Sequence, residues 1–484
     1  MLPRVPDPAP RPPRAVLLGV QLPDASDDDF ASSVGELRRL ARTLGIEVVG
    51  QVAQRRSRLS PGSVVGAGKL QELAAFTGGS GRVPQGPPGS RRRSDDPDDD
   101  EPVGEGGEDE EREEREEREE GEEIDDTRKA SGGGDNDNES GPRADTVLVD
   151  HDLSPSQLRN LERATGATVL DRTGVILAIF QRHARSREAR LQVEIARLNY
   201  LTPRLRETGG GKDRQGGGIG RSSGESNLEM DRRKVRDRIA ELRLELAEIE
   251  RTSGTRRKRR SDQARAALVG YTNAGKSSWM RALTGSGVLV RDELFATLDT
   301  TVRTLQPESV PRVLVSDTVG FIKKLPHDLV ASFRSTLDEA RECDLLVHVV
   351  DASDPAFSTQ MEVTNSLLAE IGAGDRPRLL VLNKADRLPP ADRERLASEW
   401  PEALVLSVRD PADVARLHAR IVGFFEQDMV EDEVVVPYAR QRWVSEAYST
   451  CQVLAESHDE SGTHLRLRAK PDAIARLRAG VEGA

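Results

Sequence analysis

Apolar residues cluster in short runs separated by amphipathic stretches. Between residues 15 and 77, "AVLLGV" and "IEVVGQV" flank the helix-patterned "SSVGELRRLARTLG", which predicts a small α/β unit. The pattern returns at "ADTVLVDHDLSPSQLRNLERATGATVLDRTGVIL". There it predicts a strand over Thr146 to Asp150, a helix capped near Ser154 with Pro155 following, and a strand ending at Asp171. Residues 78–143 between them are Gly, Pro, Ser and acid. Their "EDEEREEREEREEGEE" can form Glu–Arg pairs on a solvated helix but has no apolar stripe to pack. The expectation is a disordered insertion interrupting one α/β domain. "VVGAGKLQELAAF" places Gly66, Gly68 and Lys69 before a short helix; a plain strand-to-helix turn is the expected reading over a phosphate loop.

A second period follows. Leu191, Ile195, Leu198 and Leu201, then Leu228, Val235, Ile239, Leu242, Leu246 and Ile249, recur at helical spacing and predict an antiparallel hairpin. Its join, "ETGGGKDRQGGGIGRSSGES", is longer than a turn requires and carries Lys212, Arg214 and Arg221. It reads either as a solvated face or as a basic tip for nucleic acid, with glycines allowing close approach to phosphate.

Further on, "AALVG", "RVLVSD", "DLLVHVVD", "RLLVLNK" and "ALVLS" are near-continuous apolar runs at helical separations. Such strands are buried on both faces of a mostly parallel sheet, with ligands beyond their carboxyl ends. The last segment reads as strand–helix–strand–helix, with Trp443 and Tyr448 in its core. The fold class is therefore multidomain α/β. The expected divisions are a tail (1–14), an N-terminal α/β domain (15–182, with the insertion), a hairpin (183–262), a nucleotide-hydrolase domain (263–428) and a small C-terminal α/β domain (429–484).

Charge alters the picture in one place. The 484-residue chain has a net charge of −12, but Asp95 to Ser140 holds 24 acidic and 5 basic residues. Removing that −19 leaves +7 for the remainder, a mildly basic body able to approach a nucleic-acid backbone. The two cysteines, Cys343 and Cys451, have no ligand-like spacing and suit a reducing compartment. No apolar run approaches the roughly 18 residues of a membrane helix, and the Pro-rich start lacks a signal segment. A cytoplasmic monomer is expected.

The chemistry is concentrated in four motifs. "GYTNAGKS" follows an apolar strand and opens a helix, a complete G-x-x-x-x-G-K-S loop spanning Gly270, Tyr271, Thr272, Asn273, Ala274, Gly275, Lys276 and Ser277. Its amides cradle phosphates, Lys276 neutralises β/γ charge, and Ser277 offers a hydroxyl to Mg²⁺. "DTVG" brings Asp317, which would reach Mg²⁺ through water, then Thr318, Val319 and Gly320, whose N–H can meet the γ-phosphate. "NKAD" brings Asn383, Lys384, Ala385 and Asp386. The Asp386 carboxylate can accept both N1–H and the 2-amino group of guanine, a donor pair that adenine lacks. Ser407, Val408 and Arg409 follow, with the Val408 N–H available to guanine O6. Four motifs in this order, each at a strand end, predict a GTPase. Between them "ELFATLDTTVRTL" is the expected first switch, in which Thr297, Thr300 and Thr301 all have the hydroxyl that Mg²⁺ needs. Asn273 could help hold a monovalent cation such as K⁺, or simply suit the turn. Phe321 follows Gly320 where Ras-type enzymes carry the Gln that orients water, so intrinsic turnover is expected to be slow.

These residues, with "VGAGKLQEL", "LSPSQLRNLE", "VLDRTGVILAIFQRHARSREARLQVEIARLNYLTPRL", "FATLD" and "DTVGFIKKLPHDLVASFRSTLDEA", resemble the HflX-type GTPases of the translation-factor class. The resemblance spans nearly the whole chain except the tail and the acidic insertion. It implies the four-part architecture above and GTP and GDP as ligands with Mg²⁺ as cofactor. It also implies contact with the large ribosomal subunit and its RNA, in the splitting or rescue of stalled ribosomes, through the hairpin tip. It implies that "FATLD" (Phe295, Ala296, Thr297, Leu298, Asp299) borders the nucleotide, with Thr297 as the Mg²⁺ threonine. Lys276, Thr297 and Gly320 would then be the catalytic set. His327 is expected to fix the helix after the second switch. Three features depart from the family pattern: "GIGRSSGESNLE" in the Gly-rich join, "SSWMRAL" after the phosphate loop, and the acidic insertion as an addition. The competing expectation is a nucleotide-gated switch acting on an RNA other than the ribosome.

Overall fold

The computed structural model describes residues 12–83, 143–206, 227–258, 263–287, 293–324 and 334–482. The N-terminal tail, most of the acidic insertion, the Gly-rich join with Lys212, Arg214 and Arg221, and His327 lie outside the described residues.

The N-terminal unit is a parallel sheet of order β2-β1-β3-β4. Its elements are β1 (Arg14–Gln21), α1 (Asp27–Thr43), β2 (Glu47–Arg55), α2 (Ala67–Thr77), β3 (Thr146–Val149), α3 (Pro155–Thr165), β4 (Thr168–Asp171) and α4 (Arg172–His183). Strand β1 pairs with both β2 and β3, so one sheet spans the insertion. The two flanks also meet directly, Ala144 N donating to Phe76 O at 2.9 Å. Ser154 caps α3 in a capping box with Gln157, and Pro155 takes the first turn, where its missing N–H costs nothing. Gly66 merely caps α2, and Lys69 pairs with Glu72 at 2.7 Å, as expected of a plain turn.

The hairpin is α5 (Arg187–Leu201) and α6 (Asn227–Lys258). Arg187 meets Glu245 while Glu194 meets Arg238, so the helices run antiparallel. Leu191, Ile195, Ile239 and Leu242 form its seam, flanked by Leu198, Val235, Leu246 and Ile249. Each fully buried side chain of this kind contributes roughly 1.5–3 kcal/mol. The hairpin base is fixed by Asp171. Its Oδ1 accepts from the Tyr200 hydroxyl (2.6 Å) and Gly174 N (2.8 Å), and its Oδ2 accepts from Arg204 (2.7 Å) and Leu153 N (3.2 Å).

The third unit is a six-stranded sheet of order β10-β9-β8-β5-β7-β6. It contains β5 (Ala264–Val269), α7 (Lys276–Thr284), β6 (Thr301–Thr304), β7 (Val313–Asp317), α8 (Arg334–Glu342), β8 (Leu345–Asp351), α9 (Phe357–Glu370), β9 (Arg378–Asn383), α10 (Pro390–Glu399), β10 (Leu404–Val405) and α11 (Pro411–Glu426). All pairings are parallel except β6 on β7, an antiparallel edge. Phe321 is buried among Ala267, Val269, Leu337 and Ala340. Its backbone bridges the phosphate loop, with Thr272 N donating to Phe321 O at 2.8 Å.

The C-terminal unit differs from the expected strand–helix–strand–helix. It comprises β11 (Val430–Val436), α12 (Arg442–Thr450), β12 (Gln452–Asp459), β13 (Gly462–Ala469) and α13 (Pro471–Glu482), an antiparallel sheet of order β11-β13-β12. Asp459 accepts from Ser461 N and Gly462 N, and Gly462 adopts φ +146°, so "DESG" folds a tight turn that splits the last strand in two. Trp443 packs on this core. Tyr448 does not; it is exposed and donates to Glu456 at 2.6 Å, because its helix position faces outward beside β12. Both cysteines are free and buried, and burial pushes the Cys343 thiol up to about 12.

One ionic cluster joins the first and third units. Arg172, 1% exposed, binds Glu36 and, at 2.7 Å, Asp150. Burial raises the Asp150 carboxyl, but the Arg172 and Lys324 cations and the Ser33 hydroxyl outweigh it, so it stays below its ordinary value. A carboxylate with a depressed folded pKa stabilises above its unfolded value near 3.8 and loses that contribution as pH falls through the folded one. Arg172→Ala, which strands two buried carboxylates, should cost about 3–5 kcal/mol. Hydrogen exchange at the amides of β1 and β3 measures this, and unchanged protection would contradict it. Phe321→Gln buries an amide in an apolar site and should cost roughly 3–5 kcal/mol without accelerating GTP turnover. A stable variant that hydrolyses GTP faster would show that position 321 does face the nucleotide.

Candidate active site

A cleft of about 240 Å³ opens at the carboxyl ends of β5, β7 and β9, where a parallel sheet collects its loops. Thr272, Asn273, Gly275, Lys276 and Ser277 form its floor. Gly275 adopts φ +104°, and a Cβ there would stand 2.3 Å from the Asn383 amide nitrogen. That amide donates to Ala274 O at 2.7 Å and braces the loop. Gly320 lies across the floor; a Cβ on it would stand 2.9 Å from Thr272 Cα and 3.0 Å from Lys276 Nζ. The backbone therefore approaches to a distance that only glycine permits.

Lys276 is buried and donates to Gly270 O (3.0 Å) and Tyr271 O (2.8 Å). Burial pushes its ammonium down to about 8, against the pull of Asp317. Burial likewise raises the Asp317 carboxyl, despite Lys276 and the hydroxyls of Ser277 and Thr297. The imidazole of His348, on the adjacent strand β8, is driven down to about 3 by burial and adds no charge at neutral pH.

Three hard oxygen donors converge beside Lys276. Ser277 Oγ lies 2.6 Å from Thr297 Oγ1 and donates to Asp317 Oδ2 at 2.7 Å. Asp317 Oδ1 is buried with no partner of its own. Two hydroxyls and a carboxylate with acceptor capacity to spare fit a Mg²⁺ site that keeps waters in its shell. Thr297 alone of the three candidate threonines reaches this cluster. Thr300 Oγ1 is buried without a partner elsewhere, and Thr301 opens β6.

At the other end, Asp386 accepts from the Ser407 hydroxyl (2.7 Å) and Arg409 (3.2 Å). Burial raises this carboxyl, yet those partners outweigh it and hold it below the usual range. Lys384, in the left-handed region at φ +61°, pairs with Asp351 at 2.6 Å. Both Lys384 and Asp386 line the cleft, with Val408 and Arg409.

Of the other residues expected at the nucleotide, Phe295, Ala296 and Thr318 line the cleft. Gly270 and Ala274 act through backbone carbonyls, Ala385 N bonds Leu406 O, and Ser407 stands behind Asp386. Four side chains turn elsewhere. Tyr271, Leu298 and Val319 are packed in the core shared with the N-terminal unit, and Asp299 caps the hairpin base. They face away because apolar burial and the Arg185 and Ser186 amides just ahead of α5 hold them. Sequence reasoning missed Glu36 and Asp351, whose partners lie 235 and 33 residues away. It also missed Ser278, Glu293 and Arg387, which line the cleft without a motif of their own.

Residues 31–81 and 136–181 match the family described as GTP-binding GTPase N-terminal, and 183–260 match the GTP-binding GTPase middle region. Residues 265–384 match the 50S ribosome-binding GTPase family. GTPase HflX of Gluconacetobacter diazotrophicus is 54% identical over 97% of this chain and 98% of its own. GTPase HflX of Caldanaerobacter subterraneus is 34% identical over 96% and 93%. A GTP-binding protein of Sulfolobus solfataricus, solved with GDP, covers 84% of this chain and 99% of its own at 19% identity and a TM-score of 0.40. Identity above one half over nearly every residue leaves one assignment: the chain belongs to the HflX family of GTPases.

Proposed function

We propose that this GTPase is a Mg²⁺-dependent, ribosome-stimulated enzyme that docks on the large ribosomal subunit and acts in splitting or rescuing stalled ribosomes. It would work as a cytoplasmic monomer. The observation that carries the reading is the match of residues 265–384 to the 50S ribosome-binding GTPase family. The mildly basic body outside the acidic insertion is compatible with an RNA partner. Lys212, Arg214 and Arg221 are proposed RNA contacts. No helix among the described residues is long and apolar enough to cross a membrane.

In this reading the phosphate-loop amides and Lys276 hold the β- and γ-phosphates, and Gly320 presents its N–H to the γ-phosphate. Asp386 reads guanine, braced by Ser407, while Val408 N–H meets O6. Ser277 and Thr297 would ligate Mg²⁺, and Asp317 would reach it through water. Bound there, the ion neutralises charge developing on the phosphates. Phe321 contributes packing and no side chain to the attacking water, so orientation must come from backbone, a cation or the docked partner.

Large ribosomal subunits should raise GTP turnover by at least about tenfold, a small share of what one preorganised donor can supply. They should also carry the protein into the pellet in a non-hydrolysable GTP analogue. Neither effect, in a preparation where Lys276→Ala abolishes turnover, would end the ribosome reading. Pelleting with free RNA alone would favour an RNA switch of another kind.

Nucleotide affinity should depend on pH through Lys276. Its pKa of about 8 must rise when phosphates bind, so binding takes up a proton above pH 8. GDP affinity should be flat from pH 6.5 to 7.5 and fall toward pH 9, by up to about tenfold per unit. A flat profile to pH 9 would show that Lys276 stays charged in the empty cleft.

Asn273 lines the cleft at φ +61°, a conformation that Asn tolerates better than most residues. We propose in addition that its carboxamide helps hold K⁺ beside the phosphates. Replacing K⁺ by Na⁺ should slow turnover several-fold; equal rates would leave Asn273 with a turn-forming role only.

A further inference from the structure

Asp299 closes the "FATLD" stretch, yet its carboxylate points away from the nucleotide. Oδ2 accepts from Arg185 N (3.2 Å) and Ser186 N (3.1 Å), and Oδ1 accepts from the Ser186 hydroxyl. Ser186 is the N-cap of hairpin helix α5, and the same hydroxyl accepts from Ala189 N at 3.0 Å. A carboxylate at this end also meets the positive pole of the helix. The switch loop is thus anchored to the hairpin two residues after Thr297.

The other side of Thr297 is anchored as well. Phe295 adopts φ +57° and sets its ring edge-on to Phe180, centroids 4.7 Å apart. Leu294 N donates to the Thr43 hydroxyl at 3.2 Å, and Leu298 is buried in the same core. In other GTPases γ-phosphate and its Mg²⁺ order this loop, and hydrolysis releases it. Here the N-terminal unit holds one end of it and the hairpin base the other.

We propose that Asp299 is a positioning residue for GTP: by clamping switch I to the N-cap of hairpin helix α5, it holds Thr297 beside Ser277 and couples the γ-phosphate to the hairpin. The inference rests on Thr297 being the metal-facing threonine. Coupling of this kind is reciprocal, so whatever fixes the hairpin base raises affinity for GTP and not for GDP.

The test uses the full chain with fluorescent GDP and a fluorescent non-hydrolysable GTP analogue in Mg²⁺. Asp299→Ala should weaken the analogue about tenfold and change GDP by less than about twofold. Asp299→Asn, which keeps an acceptor, should fall between Asp299→Ala and the unmodified protein. Thr297→Ala should give the same analogue-specific loss. Hydrogen exchange at residues 185–190 should be slower with the analogue than with GDP, and Asp299→Ala should erase that difference. Should Asp299→Ala fail to fold, Ser186→Ala removes one of the three donors to Asp299 together with the cap on Ala189 N, and must show the same analogue-specific pattern at smaller amplitude. If Thr297→Ala discriminates the nucleotides while the Asp299 and Ser186 variants do not, the coupling is wrong and the Thr297 assignment stands. If Thr297→Ala itself has no effect, both fall.

Discussion

A guanidinium with almost no access to water stays in place only if carboxylates meet it there. Arg172 satisfies this condition through Glu36 on α1 and Asp150 after β3. The cluster then extends outward, because the Tyr271 hydroxyl donates to Glu36 and accepts from Lys323 N at 2.7 Å. Lys324 reaches Asp150, and Lys323 reaches Asp29, both at 3.2 Å. Tyr271 belongs to the phosphate loop, and the two lysines follow Gly320 by three and four residues. Placing one buried cation therefore fixes how the N-terminal sheet meets the GTPase domain. The preceding residue, Asp171, faces the other way and fixes the hairpin through Tyr200 and Arg204. Two consecutive side chains at the β4–α4 junction orient both neighbours.

That arrangement bears on how the GTPase can move. Tyr271, Leu294, Phe295, Leu298, Val319 and Ile322 share one apolar core with α1, α4 and α5. Loops that respond to γ-phosphate in other GTPases pass between ordered and disordered states. Here, opening would expose part of a domain's core or carry the N-terminal sheet along with it. Packed cores have discrete arrangements and resist continuous deformation. A displacement at the phosphate would then be felt as a change of contact between domains.

What could be read from the sequence follows the range of the forces involved. The phosphate loop, Asp317, Asn383 and Asp386 were legible because their chemistry needs fixed residue types at short spacing, each at the end of an apolar run. The hairpin seam was legible because helical period is local. Its partners among Leu191, Ile195, Ile239 and Leu242 could be named before any coordinates. The choice of Thr297 over Thr300 and Thr301 was not legible from chemistry alone, since all three carry the same hydroxyl and only the path of the chain separates them. Glu36 was invisible for a different reason. It sits in a helix among residues that look like a solvated face, and its partners lie 136 and 235 positions away. The split of the last strand was not legible because the turn rests on three residues, Asp459, Ser461 and Gly462, inside a segment whose pattern is otherwise that of one strand.

Phe321 shows how the two scales meet. Its sequence position suggests a defect in the hydrolytic machinery, while its environment shows a structural duty. The ring fills the core beneath α8, and the backbone stitches the second switch to the phosphate loop. A residue doing both cannot also reach the attacking water. Any side chain that orients water must then approach from the open face of the cleft. On the described residues, that face is bordered by Asn273, Glu293 and Ala296 rather than by a donor in the second switch. The packing that holds Phe321 in this core therefore withholds its side chain from the attacking water, and in the function proposed above a partner docked on the open face would supply that orientation.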